Sequence, residues 1–247
     1  MKFIIFPFFI VLLPLVIFAD EKYQITGQAS PSYETINYRS KDFRKLGGYK
    51  LSYNFGFEYK NFLSPVLSYS TGLQFQNKGF RNVLEFYSSD SVKIFKDGAI
   101  VINAYYLMVP FDLNWDISIF NKTAFVVSSG FSSGVLFRQE MVGKRIPEEL
   151  SQKNPFTGEQ LDSGREKIDW FKKLFFGWNV GVGLTQYIKS KLVITVQPMY
   201  TRQLNKLIDP NGPVRTGGTI PKFDSFSLNL RIGYYFNDQI ANYKKEF

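Results

Sequence analysis

The stretch SFSLNLRIGYYF, residues 225–236, alternates along its length, with Tyr235 the one large residue among the otherwise small or polar odd positions. Phe226, Leu228, Leu230, Ile232, Tyr234 and Phe236 are large and apolar. Ser225, Ser227, Asn229, Arg231 and Gly233 between them are small or polar. A period of two is the signature of a strand with unlike faces. Such a strand cannot bury its apolar side alone. A sheet closed into a barrel, with lipid against the apolar face, satisfies both its backbone and its side chains.

The same ladder recurs through the chain. Tyr23, Ile25, Gly27 and Ala29 form its weakest copy, and Tyr49, Leu51, Tyr53, Phe55, Phe57 and Tyr59 its cleanest. Leu67 to Phe75, Tyr105 to Trp115, Phe125 to Phe137, Leu174 to Leu184 and Leu192 to Tyr200 supply five more, so the closing ladder makes eight. Asn61 to Ser64, Ser118 to Lys122 and Lys189 to Ser190 read as short connections. Ser32 to Leu46, Asn77 to Gly98, Gln139 to Phe171 and Asn205 to Lys222 read as long ones. The expected fold is all-β: an eight-stranded antiparallel up-and-down transmembrane β-barrel with short periplasmic turns and long extracellular loops.

Alternation alone does not say which face is wet, because a soluble, secreted lipocalin-like ligand binder has the same period with its apolar side inward. The large face, however, carries more aromatic bulk than a narrow lumen could hold. It also bears no Asp, Glu, Lys or Arg on the seven clear ladders. The charges fall on the small face, so Lys50, Glu58, Asp112, Asp116, Arg138 and Arg231 are expected to form a polar network in the lumen. Tyr59, Trp115, Tyr187 and Phe236 fall near the short-turn ends, where an interfacial aromatic girdle is expected.

Composition narrows the chemistry. Among 247 residues there is no cysteine and no histidine, which removes thiol nucleophiles, Ser-His-Asp catalysis and the usual zinc sites. No catalytic residue, cofactor or metal is expected. Asp112 and Asp116 lie four apart on one strand face, roughly 13 Å, too far for a paired acid and base. The net charge of +9 is scattered over loops and strand ends, which favours anionic lipid head groups over nucleic acid.

Met1 and Lys2 precede an apolar run, Phe3 to Phe18, and then Ala19 and a charged stretch. This reads as a secretory signal peptide over 1–19, with a barrel domain over 20–236 and a periplasmic tail over 237–247. Export to a bacterial outer membrane follows, with membrane lipid and the barrel-assembly machinery as partners. The assembly signal is expected in the last strand, at Arg231, Gly233, Tyr234 and Phe236. The run FRNVLEFYSSDSVKIF, residues 80–95, predicts a hairpin beyond the membrane, leaving Leu84, Phe86 and Ile94 near the surface for an envelope protein partner. Pro147 to Gln152 predicts one helical turn.

Several short motifs resemble one family. They are Gly72-Leu73-Gln74-Phe75 with Lys78-Gly79, Tyr105 to Pro110, Gly181 with Gly183, and the ending Gly233-Tyr234-Tyr235-Phe236. The chain resembles the outer-membrane β-barrels of Bacteroidota often called PorT-like. That resemblance implies a small eight-stranded barrel and a non-enzymatic role in envelope interaction or secretion-system assembly. A narrow passive channel for ions or small solutes is the alternative. An enzyme acting on outer-leaflet lipid is a further one, which the absence of histidine disfavours.

Overall fold

The computed structural model describes residues 23–37, 49–87, 93–120, 122–144, 165–168, 171–188, 191–206 and 222–236. Nine strands occupy them: β1 (Tyr23–Asn37), β2 (Lys50–Phe62), β3 (Leu67–Tyr87), β4 (Lys93–Phe120), β5 (Thr123–Lys144), β6 (Arg165–Lys167), β7 (Leu174–Tyr187), β8 (Leu192–Gln203) and β9 (Lys222–Tyr235). No helix occurs among the described residues. The expected signal peptide, the helical turn at Pro147 to Gln152 and the tail over 237–247 lie outside them.

Eight strands close a ring in the order β4, β3, β2, β1, β9, β8, β7, β5, with β5 returning to β4. Closure removes the unpaired edges an open sheet would expose. The alternating stretch that opened the sequence forms the seam: β9 pairs with β1 from Gln24 opposite Tyr235 to Asn37 opposite Lys222. β6 stands outside the ring, its three residues laid against Glu140, Met141 and Val142 of β5.

The faces divide as their chemistry requires for a barrel bathed in lipid. Leu51, Phe57, Phe131, Leu184 and Ile232 point outward and are exposed, whereas Thr26, Ser68, Asn114 and Gln197 are buried inside. A soluble ligand-binding barrel would have these faces reversed. Inside, small residues sit opposite large ones: Gly56 faces Gln74, Gly72 faces Glu58 and Gly130 faces Asp112. The narrow bore therefore holds its polar side chains without collision.

One rim is tight. Leu63 to Val66 join β2 to β3, and the Ser64 hydroxyl accepts a hydrogen bond from the Leu67 amide at 3.0 Å. At the other rim the strands run further than the alternation indicated. β1 continues to Asn37, and β5 reaches Lys144 although its pattern ends at Phe137. Residues 99–104 of β4 lie between β3 and β5 and bond to both, so backbone pairing sustains the sheet where side-chain alternation no longer marks it. The expected β3–β4 hairpin is present, with Leu84 opposite Gly98, Phe86 opposite Phe95 and Ile94 in the returning strand.

Candidate functional site

The lumen is built in tiers. At the short-turn end Phe62, Val193 and Tyr235 form a buried apolar cluster with Tyr187 against it. Just inside, Lys60 Nζ meets Asp116 Oδ2 at 2.7 Å. Tyr187 thus lies in the stopper, its ring centroid 6.1 Å from that of Tyr235, and not in the outer girdle expected of it. The reason is parity: odd-numbered residues of β7 from Phe175 to Thr185 face inward, and Tyr187 continues their series.

The middle tier is a connected lattice. Arg231 Nη1 donates to Gln197 Oε1 at 2.5 Å and its Nε to Gln28 Oε1 at 3.2 Å, while Nη2 lies 3.3 Å from Glu58 Oε2. Gln197 Nε2 donates to Ser128 Oγ, Ser128 to Asn114 Oδ1, and Asn114 Nδ2 to Ser70 Oγ, at 2.8, 2.6 and 3.0 Å. Asn179 Nδ2 reaches Asp112 Oδ1 at 3.2 Å, and Ser132 Oγ reaches Asn179 Oδ1 at 3.3 Å. These residues come from all eight strands of the ring. Arg231 is tolerable here because it is paired with Glu58 and hydrogen-bonded to two glutamines, and Asp112 accepts from Asn179.

The upper tier carries an excess of cations. Lys78 Nζ donates to Ser225 Oγ at 2.8 Å and stands 3.7 Å from Glu34 Oε2, and the Ser225 hydroxyl in turn donates to Glu34. Lys50 Nζ donates to Asn77 Oδ1 at 2.6 Å and to the Lys78 carbonyl at 3.2 Å. Lys78 also lies 5.0 Å from the centre of the Phe175 ring, and Phe171 packs edge-on against Phe223 nearby, at 5.6 Å.

Of the six charged residues expected in the lumen, the structure puts Lys50, Glu58, Asp112, Asp116 and Arg231 there and Arg138 outside it. The cause is a β-bulge. Tyr105 is paired with Arg138 but Tyr106 with Leu136, so Phe137 is the extra residue and everything beyond it changes face. Arg138 is 54% exposed on the outer wall, 5.8 Å from the centre of the Tyr105 ring, with its Nη2 2.7 Å from Glu140 Oε2. Four further buried charges were not expected from the sequence. Glu34, Lys78 and Glu140 fell in segments read as loops, and Asp224 lies just ahead of the closing ladder; Lys60, in plain alternation with Glu58, is half-buried beside Asp116.

Aromatic residues mark two levels on the outer wall. Near the short-turn rim Tyr23 stacks on Tyr59 and Phe236, at 5.6 and 4.8 Å. Higher up, Phe75 meets Phe55, Phe137 and Tyr105 at 4.8, 5.5 and 5.9 Å. Trp115 and Tyr105 mark the same levels on β4; about ten positions at 3.4 Å, tilted by about 40°, give roughly 26 Å along the axis. That is the height of an apolar membrane band. In the last strand Arg231 and Gly233 face inward, while Tyr234 and Phe236 face outward beside Tyr23.

Neither a protein-family model nor a curated protein matches the sequence. Among solved structures the chain is similar to Neisserial surface protein A at 8% identity and a TM-score of 0.46, covering 86% of this chain and 96% of that one. It is similar to the outer membrane protein OprG from Pseudomonas aeruginosa at 12% identity and a TM-score of 0.45, covering 87% and 95%. It is also similar to the outer membrane protease OmpT from Escherichia coli at 10% identity and a TM-score of 0.44, covering 87% and 97%. These likenesses are loose, and the fold described above rests on its own strand pairing.

Proposed function

We propose that this chain is a non-enzymatic barrel of the bacterial outer membrane that acts in envelope interaction or assembly, in the manner implied by its PorT-like motifs. One contrast carries the reading. The lumen is crossed by a hydrogen-bonded lattice and stoppered at its base, while β3, β4 and β5 project past the upper aromatic level as a paired sheet. A filled bore favours a rigid post over a path, and a projecting sheet supplies backbone and surface for a partner.

A narrow ion path is the second reading. It is favoured by the charged pairs Glu34–Lys78, Glu58–Arg231 and Lys60–Asp116 set along the axis.

Both readings meet in one experiment. The protein, tagged after Asn237, is solubilised gently from outer membranes, weighed with whatever accompanies it, and then reconstituted in a planar bilayer. An envelope protein in fixed ratio together with an electrically silent bilayer is the expected result. A lone barrel giving discrete conductance steps would replace the assembly reading by the channel.

A further inference from the structure

The barrel wall parts between β5 and β7. Their ladder runs from Thr123 opposite Gln186 to Val135 opposite Leu174, and a final bond joins the Leu136 amide to the Lys173 carbonyl at 2.7 Å. The next ladder on this edge of β5 among the described residues begins at Glu140, opposite Lys167 of β6. In the interval a cavity of about 460 Å³ opens, with Leu136, Phe137 and Ile168 on its apolar side and Arg138, Lys167 and Lys173 on its charged side. Ligand pockets run from roughly 300 to 1,000 Å³, so the slot is large enough to hold a sugar-sized group.

Its charge is not spent internally. Residues 138–140 and 165–173 carry five basic side chains against the acidic Glu140, Glu166 and Asp169, a surplus of two. Glu140 is engaged by Arg138 at 2.7 Å, Tyr105 at 3.0 Å and Arg165 at 3.6 Å. Its contact with Arg138 uses Nε and one Nη2 hydrogen, leaving the other guanidinium donors unused by it. Among the described residues Lys167 and Lys173 have no carboxylate partner.

The slot's height identifies what reaches it. Phe137 belongs to the upper aromatic level, 5.5 Å from Phe75 and 6.2 Å from Tyr105, and Leu174 is exposed just below. Acyl chains end and head groups begin at such a level. A ligand seated here meets cations above and lipid-facing aromatic surface beneath, so it needs an anionic head on an apolar tail. A guanidinium beside two ammonium groups suits the several oxygens of a phosphoryl group.

We propose that this slot binds the phosphorylated sugar head of an outer-leaflet glycolipid. Its phosphoryl oxygens meet Arg138, Lys167 and Lys173, and an acyl chain lies along Phe137 and Phe75. This rests on the outer-membrane reading, and the test separates the two. The purified full chain is inserted into lipid nanodiscs and titrated with lipid A, with dephosphorylated lipid A and with inorganic phosphate, and bound ligand is counted by native mass spectrometry. Replacing Arg138, Lys167 and Lys173 together by Ala is compared with replacing Arg202, Lys206 and Lys222, which removes the same charge from the β8–β9 part of the same rim.

Failure to insert would sink the membrane reading itself. With insertion achieved, the expected result is lipid A retention that falls about tenfold or more without the phosphates and equally in the slot variant, but not in the β8–β9 variant. Equal retention of the dephosphorylated lipid, or an equal loss in both variants, overturns the proposal. Inorganic phosphate binding as tightly as lipid A would make the slot a free-anion site and overturn the glycolipid as its ligand.

Discussion

The lower and upper halves of the barrel are made from one alternating pattern but obey it differently. Below the upper aromatic level the ladders keep register, apart from one shift between Ser118 and Phe120 beside the β4–β5 turn, and parity assigns the lumenal and outward side chains. Tyr187, which lies on the inward series, follows parity into the stopper despite being aromatic. Above that level the register breaks at Tyr105 and Tyr106, Gly79 takes a φ of +149°, and the β5 wall parts. Regularity supplies a closed, cooperative body, and irregularity supplies the places where side chains are re-aimed.

The largest expected effect tests the lower half. Arg231 joins β9 to β8, β1 and β2 through Gln197, Gln28 and Glu58. Arg231→Met strands Glu58 beside an apolar chain, and breaking a buried pair from one side costs about 3–5 kcal/mol. The urea midpoint of the chain folded in lipid vesicles should fall accordingly, and adding Glu58→Gln should restore much of it. A loss below about 1 kcal/mol, within reach of an ordinary surface change, would mean the lattice does not hold the lower barrel together.

A smaller effect is expected at the start of the irregular zone. Gly79 sits between Lys78 and Phe80 on β3 opposite Asn103, and a Cβ built there would collide with the Ile102 carbonyl oxygen. Its positive φ is one that L side chains rarely adopt. Gly79→Ala should cost about 1–3 kcal/mol, read from the same midpoint. It should also loosen amide exchange in residues 77–84 and 98–104 while leaving the lower ladders protected. Uniform loss of protection would erase the distinction between the halves.

This division explains what the sequence disclosed. Alternation is visible only where one face meets lipid and the other a narrow lumen, because those environments demand opposite chemistry at every second residue. The ring, its closing seam and five of six lumenal charges were legible on that basis. Arg138 was misplaced because one inserted residue, Phe137, reverses parity without leaving any compositional mark. Glu34, Lys78 and Glu140 were missed because strands beyond the membrane are held by backbone pairing to neighbours, which side-chain pattern does not report. The slot beside Arg138 was beyond reach for the same reason: it exists where two ladders fail to meet.

The smallest expected effect probes that re-aimed residue directly. Burial alone would raise the Glu140 carboxyl, but hydrogen bonds from Arg138 and Tyr105, with the charges of Arg138 and Arg165, hold it below its ordinary value of 4.5. A carboxyl lowered on folding contributes stability that is whole above the ordinary value and disappears as pH falls through the lowered one. The urea midpoint should therefore decline on acidification below about pH 4.5 in part through this group. Arg138→Ala removes two hydrogen bonds and the nearest charge, so the acid limb of the profile should flatten while the neutral midpoint drops slightly. Arg202→Ala, beside Asp224 at 4.0 Å on the β8–β9 part of the same rim, serves as the control and should leave the Glu140 share of that limb intact. If the two variants flatten it alike, the acid response belongs to the rim as a whole, and Arg138 is not turned outward to hold Glu140.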